Sequence, residues 1–145
     1  MNNENIWICP AHPLNLEKTI INPYNNEYIW ALNAKRKKSF DELNKGDICL
    51  FGSLRKNEGL KYMGIVKTKK TINKIEDDWP FKSPSGVYWK YVFTLSIKKI
   101  NIVPQKAREL RGWNEKQSWQ TQTKLTVGKN NFIQYLINNY PEYFT

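Results

Sequence analysis

The apolar residues of this 145-residue chain come in short runs, each stopped by turn chemistry. Runs of that kind build strands, and they leave little room for long helices. Ile6-Trp7-Ile8-Cys9 ends at Pro10, and Tyr28-Ile29-Trp30-Ala31-Leu32 follows the breaker Asn22-Pro23-Tyr24-Asn25-Asn26. Asn44-Lys45-Gly46-Asp47 is turn chemistry, with Gly46 supplying a positive φ, and it launches Ile48-Cys49-Leu50-Phe51. A polar loop over 53–59 then returns the chain through 60–66 as the second arm of a hairpin. Residues 67–78 are charged and unpatterned and read as loop, continuing to Gly86. Residues 87–97 alternate, with Tyr88, Lys90, Val92 and Thr94 on one face and Trp89, Tyr91, Phe93 and Leu95 on the other. Trp89 reads as core. Residues 108–114 read as a basic turn and the Thr-rich stretch 118–127 as a last strand.

Helical spacing is confined to small segments. Leu16 and Ile20 recur in 14–21, where Asn15 is placed to cap the start. Phe40 and Leu43 make one turn, and Phe132, Tyr135 and Leu136 share a face of a helix over about 130–140. The sum is one α+β domain over 1–145: a small, twisted, mostly antiparallel β-barrel with flanking short helices.

Charge speaks to partners. With 23 Lys+Arg against 13 Asp+Glu the net charge is +10, which favours a polyanion, nucleic acid first. The N-terminus has no signal-peptide pattern, and no apolar run approaches the roughly 18 residues of a membrane span, so no membrane partner is expected. Two isolated cysteines, Cys9 and Cys49, and one histidine, His12, fall short of the about four ligands of a structural zinc site. The reading is a cytoplasmic protein with reduced thiols and neither metal nor cofactor.

Catalytic patterns are missing. There is no GxSxG, no Walker A loop and no GxGxxG, and His12 is wedged between Ala11 and Pro13. Glu76-Asp77-Asp78 is contiguous and splays outward as a solvated turn, and Glu58-Gly59-Leu60-Lys61 has the wrong spacing for a nuclease signature. The expectation is a binding module rather than an enzyme.

The stretch that suggests what is bound is Tyr28-Ile29-Trp30-Ala31-Leu32-Asn33, which opens into Lys35-Arg36-Lys37-Lys38. Trp30 alone reads first as core, but an indole beside a run of cations suits a pocket for one unstacked base. In chain order, Ile6-Trp7-Ile8, the Asn15-led helix, Tyr28-Ile29-Trp30-Ala31, the pair around 48–53 and 62–66, Asp78-Trp79 before Gly86, and the segment 109–116 together resemble a YTH-type domain of the PUA-like superfamily. The likeness extends more loosely to EVE domains.

That resemblance implies a reader of a methylated base flipped into an aromatic cage. Trp30 and Trp79 would be walls, with Phe81 or Pro80 as a substitute third wall, since Lys74 stands where some members carry an aromatic. The Ala31 carbonyl would accept the remaining N–H of a methylamino group, and Asn15 would address a ring nitrogen. Phosphate contacts are assigned to Lys35, Arg36, Lys37, Lys38, Arg108, Arg111, Lys116 and Lys124. The resemblance further implies DNA ahead of RNA, N6-methyladenine ahead of 5-methylcytosine, and a targeting module of a McrB-type modification-dependent restriction protein or complex. A YTH/EVE-like reader of modified RNA and a purely charge-driven nucleic-acid binder are the alternatives.

Overall fold

The computed structural model describes residues 5–55, 58–72, 81 and 89–144. Its frame is one six-stranded sheet in the order β2-β5-β4-β3-β1-β6. The strands are β1 (Ile6–Pro10), β2 (Tyr28–Leu32), β3 (Ile48–Ser53), β4 (Gly59–Thr71), β5 (Tyr91–Ile102) and β6 (Thr123–Lys124). Among these strands only β1 and β3 pair in parallel, Ile6 opposite Ile48 through Pro10 opposite Gly52. The sheet is therefore mixed, and the expected α+β barrel architecture is met in curled form, with β2 and β6 left as its two edges. Register shifts at Phe51/Gly52, Leu60/Tyr62 and Val66/Thr68 supply bulges, which bend strands and increase twist. At one of them, Gly52 (φ +154°) lies against the backbone of Gly59 so closely that a side chain would collide with it.

Strand alternation sorts the core into two layers. Ile6 and Ile8 of β1, and Ile48 and Leu50 of β3, join one cluster with Phe132 and Leu136. Trp7, Cys9, Cys49 and Phe51 point the other way and join Trp30, Phe81 and Phe93. Two helices belong to the first layer, α3 (Pro104–Arg111) through Ala107 and α4 (Lys129–Asn139) through Phe132 and Leu136. The loop between α2 (Lys37–Glu42) and β3 is pinned by Asp47, 2% exposed, whose carboxylate accepts from the backbone N–H of Asn5 and Asn44 and from Trp7 Nε1 at 2.9–3.1 Å.

Several boundaries differ from the sequence reading. The first helix, α1 (Pro13–Leu16), is capped by His12, whose Nδ1 accepts from the Leu14 N–H at 3.1 Å, so Asn15 lies inside it. A π turn over Glu17–Ile21 continues it. The charged residues 67–71 belong to β4, because they pair with β5 and because Lys69 donates to the Leu43 carbonyl and lies over the Phe40 ring. The 108–114 "turn" is the end of α3 with its cap: Pro104 starts the helix, and Gly112 (φ +82°) closes it. That helix buries only Ala107, so it carries no apolar period to find. β5 runs to Ile102, beyond the expected end at 97, and β6 keeps two residues of the 118–127 stretch. No helix among the described residues is long and apolar enough to cross a membrane.

Candidate nucleic-acid interface

Among the described residues the edges β2 and β6 do not pair, and a cavity of about 350 Å³ lies between them. One wall is Trp30, Ala31 and Leu32 of β2, continuing through Asn33 to Arg36; the opposite wall is Cys9 and Pro10 of β1 with Gln120, Thr121 and Gln122 leading into β6. His12 and Asn15 of the first helix close one end, and Trp89 completes the lining. Such a volume lies within the about 300–1,000 Å³ of small-ligand pockets.

Trp30 serves both readings the sequence left open. It is 5% exposed and meets Phe51 and Phe81 edge-on at 5.0 and 5.1 Å, yet it also borders the cavity. Edge-to-face packing at this spacing holds a ring in one orientation. Phe81, expected as a wall, is fully buried beneath Trp30 and does not reach the cavity. Its ring stacks with Trp89 at 6.2 Å and 26°, and its carbonyl accepts the Trp89 N–H at 2.7 Å. Phe81 thus backs both indoles that do line the space. Trp89, read from the sequence as core, is half-buried at the cavity. Lys74, Trp79 and Pro80 lie outside the described residues.

The cations separate into groups. Arg36 borders the cavity, and Lys35, Lys37 and Lys38 are exposed beside it. Lys37 is paired with Asp41 at 2.8 Å, and that hydrogen bond raises its pKa. Arg108 is tied into the fold by two of its nitrogens. Its Nε donates to the Gln117 carbonyl and its Nη2 to the Leu54 carbonyl, both at 2.9 Å. Arg111 stacks over Trp113 at 4.7 Å and shares a second concavity with Lys124, itself 3.3 Å from Glu42. Lys116 is exposed on the turn after α3. Asn15, Trp30, Ala31 and Arg36 are thus brought to one cavity, while Arg108, Arg111, Lys116 and Lys124 are not.

Sequence reading missed Asn33, Trp89 and the 120–122 stretch. The amide-rich Gln120-Thr121-Gln122 ahead of an edge strand was the available signal; Asn33, ending the Trp30 run, was a second. Cys9 Sγ donates to Gln122 Oε1 at 3.3 Å, tying β1 to the segment that leads into β6 within one wall. Cys49 is fully buried, and desolvation, then contact with Cys9, raises its pKa well above the ordinary value. Among the described residues no three or more His, Cys, Asp or Glu side chains come together as a metal site.

No family model and no curated protein matches the chain. Among solved structures, it is similar to the N-terminal domain of Thermococcus gammatolerans McrB bound to m5C DNA, with a TM-score of 0.63 at 16% identity. The match covers 94% of this chain and 98% of that one. The resemblance read from the short motifs therefore holds at the level of the fold.

Proposed function

We propose that this chain is a non-catalytic reader of a methylated base in DNA, taking one nucleotide out of the stack into the cavity beside Trp30. The observation that carries the proposal is that cavity, indole-lined and amide-rimmed, in the gap between two sheet edges and next to a run of cations. A methyl group gains dispersion and apolar burial against an indole, while the edge of the extruded base needs hydrogen-bond partners once water has left. Trp30 and Trp89 supply the first, and Asn15 is one of the polar groups placed for the second, with Ala31 on the edge strand, where alternate backbone groups lie outside the ladder. Lys35, Arg36 and Lys38 would hold the flanking phosphates, adding affinity without base specificity.

The Asn15–Trp30–Ala31 pattern names N6-methyladenine first. 5-Methylcytosine is the second reading, favoured by the DNA bound to the structurally similar domain. Any cleavage or motor activity would belong to another domain or subunit of a modification-dependent restriction protein.

The test is binding of duplex and single-stranded oligonucleotides at about 150 mM salt, where non-specific contacts are weak. Each is compared unmodified, with one N6-methyladenine and with one 5-methylcytosine. The expected outcome is a preference of about tenfold or more for one mark in duplex DNA, removed by Trp89→Ala. Equal binding of all oligonucleotides would leave only a charge-driven binder, and a preference for modified single-stranded RNA would move the reading to RNA.

A further inference from the structure

Two polar atoms of the cavity residues are sealed from solvent and, among the described residues, have no hydrogen-bond partner: Asn33 Oδ1, an acceptor, and Gln122 Nε2, a donor. They belong to opposite walls, Asn33 just past β2 and Gln122 just before β6. Native folds rarely leave such atoms unpaired, so two at one cavity call for a reason. Neither amide lacked a local alternative. Asn33 occupies the N-cap of the 3₁₀ turn Ala34–Arg36, where an Asn oxygen ordinarily takes a backbone N–H, yet it makes no capping bond. Gln122 has its carbonyl oxygen engaged by Cys9 Sγ, which orients the amide and leaves its N–H₂ as the unused half.

We infer that Asn33 and Gln122 form a split clasp that reads the hydrogen-bonding edge of the extruded base, accepting one methylated amino base and rejecting its keto counterpart. The inference rests on the proposed function for the placement of the methyl group against the β2 wall. With the methyl toward Trp30, the exocyclic nitrogen next to it faces Asn33, further along the same wall. Its N–H donates to Asn33 Oδ1. The adjacent ring nitrogen, N3 of cytosine or N1 of adenine, faces Gln122 and accepts from Nε2. Both atoms are covered before a base enters, and because terminal amide torsions are soft, rotation of each side chain would present them to it. Thymine carries the same methyl as 5-methylcytosine with the edge reversed. In the same pose its O4 would face the Asn33 oxygen and its N3–H the Gln122 amine, like against like at both positions. A reader of methyl groups alone would confuse these two bases; the clasp separates them.

The test places 5-methylcytosine, cytosine or thymine opposite an abasic site, which removes the cost of breaking a base pair. N6-methyladenine, adenine and 6-methoxypurine form the parallel set, the last keeping the methyl but lacking the N–H. The proteins are wild type, Asn33→Leu, Gln122→Met and Asn33→Asp, each also followed by thermal melting. Wild type is expected to prefer the methylated amino base to its counterpart lacking the amino N–H by about tenfold or more. Asn33→Leu is expected to collapse that preference in either set and Gln122→Met to weaken it, while Asn33→Asp, which keeps an acceptor, retains it. Asn33→Leu replaces an unpaired buried acceptor by an apolar group of similar shape and should melt at or above the wild-type temperature, whereas Gln122→Met also removes the acceptor of the Cys9 thiol and should melt slightly below it. Preference ratios unchanged in both apolar variants, or an Asn33→Leu variant that melts lower and loses every oligonucleotide alike, would overturn the clasp. A wild type that distinguishes methylated from unmodified bases but binds thymine as well as 5-methylcytosine would overturn it too, while leaving the reader intact. A wild type blind to methylation would remove both.

Discussion

The two faces of the sheet are built from the same strands and answer to different demands. On one, Ile6, Ile8, Ile48, Leu50 and Ile102 meet Phe132 and Leu136 of α4, an aliphatic layer with aromatic plugs. On the other, Trp7, Trp30, Phe51, Phe81 and Phe93 make an aromatic layer that ends in a cavity rimmed by amides. The first face is closed by helices; the second stops where β2 and β6 fail to meet. Closing a sheet removes edges and rewards packing, whereas leaving a gap keeps polar and π surface available. On the proposed function, recognition would be built at the open edge and the aromatic layer beneath it, while the helical face carries stability.

The largest expected effect lies on the helical face. Phe132→Ala should cost about 3–5 kcal/mol of unfolding free energy, through reduced burial and an unfilled cavity. Chemical denaturation would show it, and the folded fraction should keep its methyl preference. Loss of that preference in folded protein would break the division of labour between the faces. Asp47→Ala comes next, because it strands three donors around a buried site; about 1–3 kcal/mol is expected in the same assay.

Trp89→Ala tests the open face. Its partial exposure predicts a small change in melting temperature, together with loss of about 1.4 kcal/mol or more of discrimination between methylated and unmodified DNA. A large drop in melting temperature with discrimination intact would return Trp89 to the core. Trp30 both packs in the aromatic layer and borders the cavity, so Trp30→Ala should lower stability and discrimination together.

Cys49 gives a pH dependence. Its thiol is held neutral by burial, so its folded pKa lies above the unfolded one. Above the ordinary value of 9.0 the unfolded chain releases this proton while the folded chain keeps it, and stability falls with rising pH. Below that value its contribution is complete. Unfolding titrations between about pH 8 and 10 should show a fall of up to about 1.4 kcal/mol per unit that Cys49→Ala lacks. The smallest effect is electrostatic. Replacing Lys35 and Lys38 by Gln should weaken all duplexes alike and reduce the salt slope by about 0.9 for each phosphate no longer neutralised, read from binding at several salt concentrations. A change in methyl preference would show that these lysines touch the base.

Legibility followed sequence range. Each of β1 to β5 had its core in an apolar or alternating run, because period two is a local property of the chain. α4 was legible through Phe132 and Leu136, one turn apart. α3 was not, since its single buried residue, Ala107, sets no period, and the outer half of β4 was not, since residues 67–71 are exposed and held by their neighbours. For the site, Asn15, Trp30 and Ala31 were legible as a motif; Phe81 and Trp89 exchanged their expected places because which ring lies beneath and which borders the cavity depends on packing between segments.

By itself the sequence determined a basic, strand-built α+β domain with an indole beside a run of cations, because composition, alternation and turn chemistry are written residue by residue. Only the tertiary structure decided that Cys9 would meet Gln122 across 113 residues and that Arg108 would reach the carbonyl of Leu54. Only it decided, too, that among the described residues β2 and β6 would stay unpaired and Asn33 and Gln122 would carry unmatched polar atoms at one cavity. Contacts at that separation depend on how the whole sheet curls, and no local pattern of side chains encodes them.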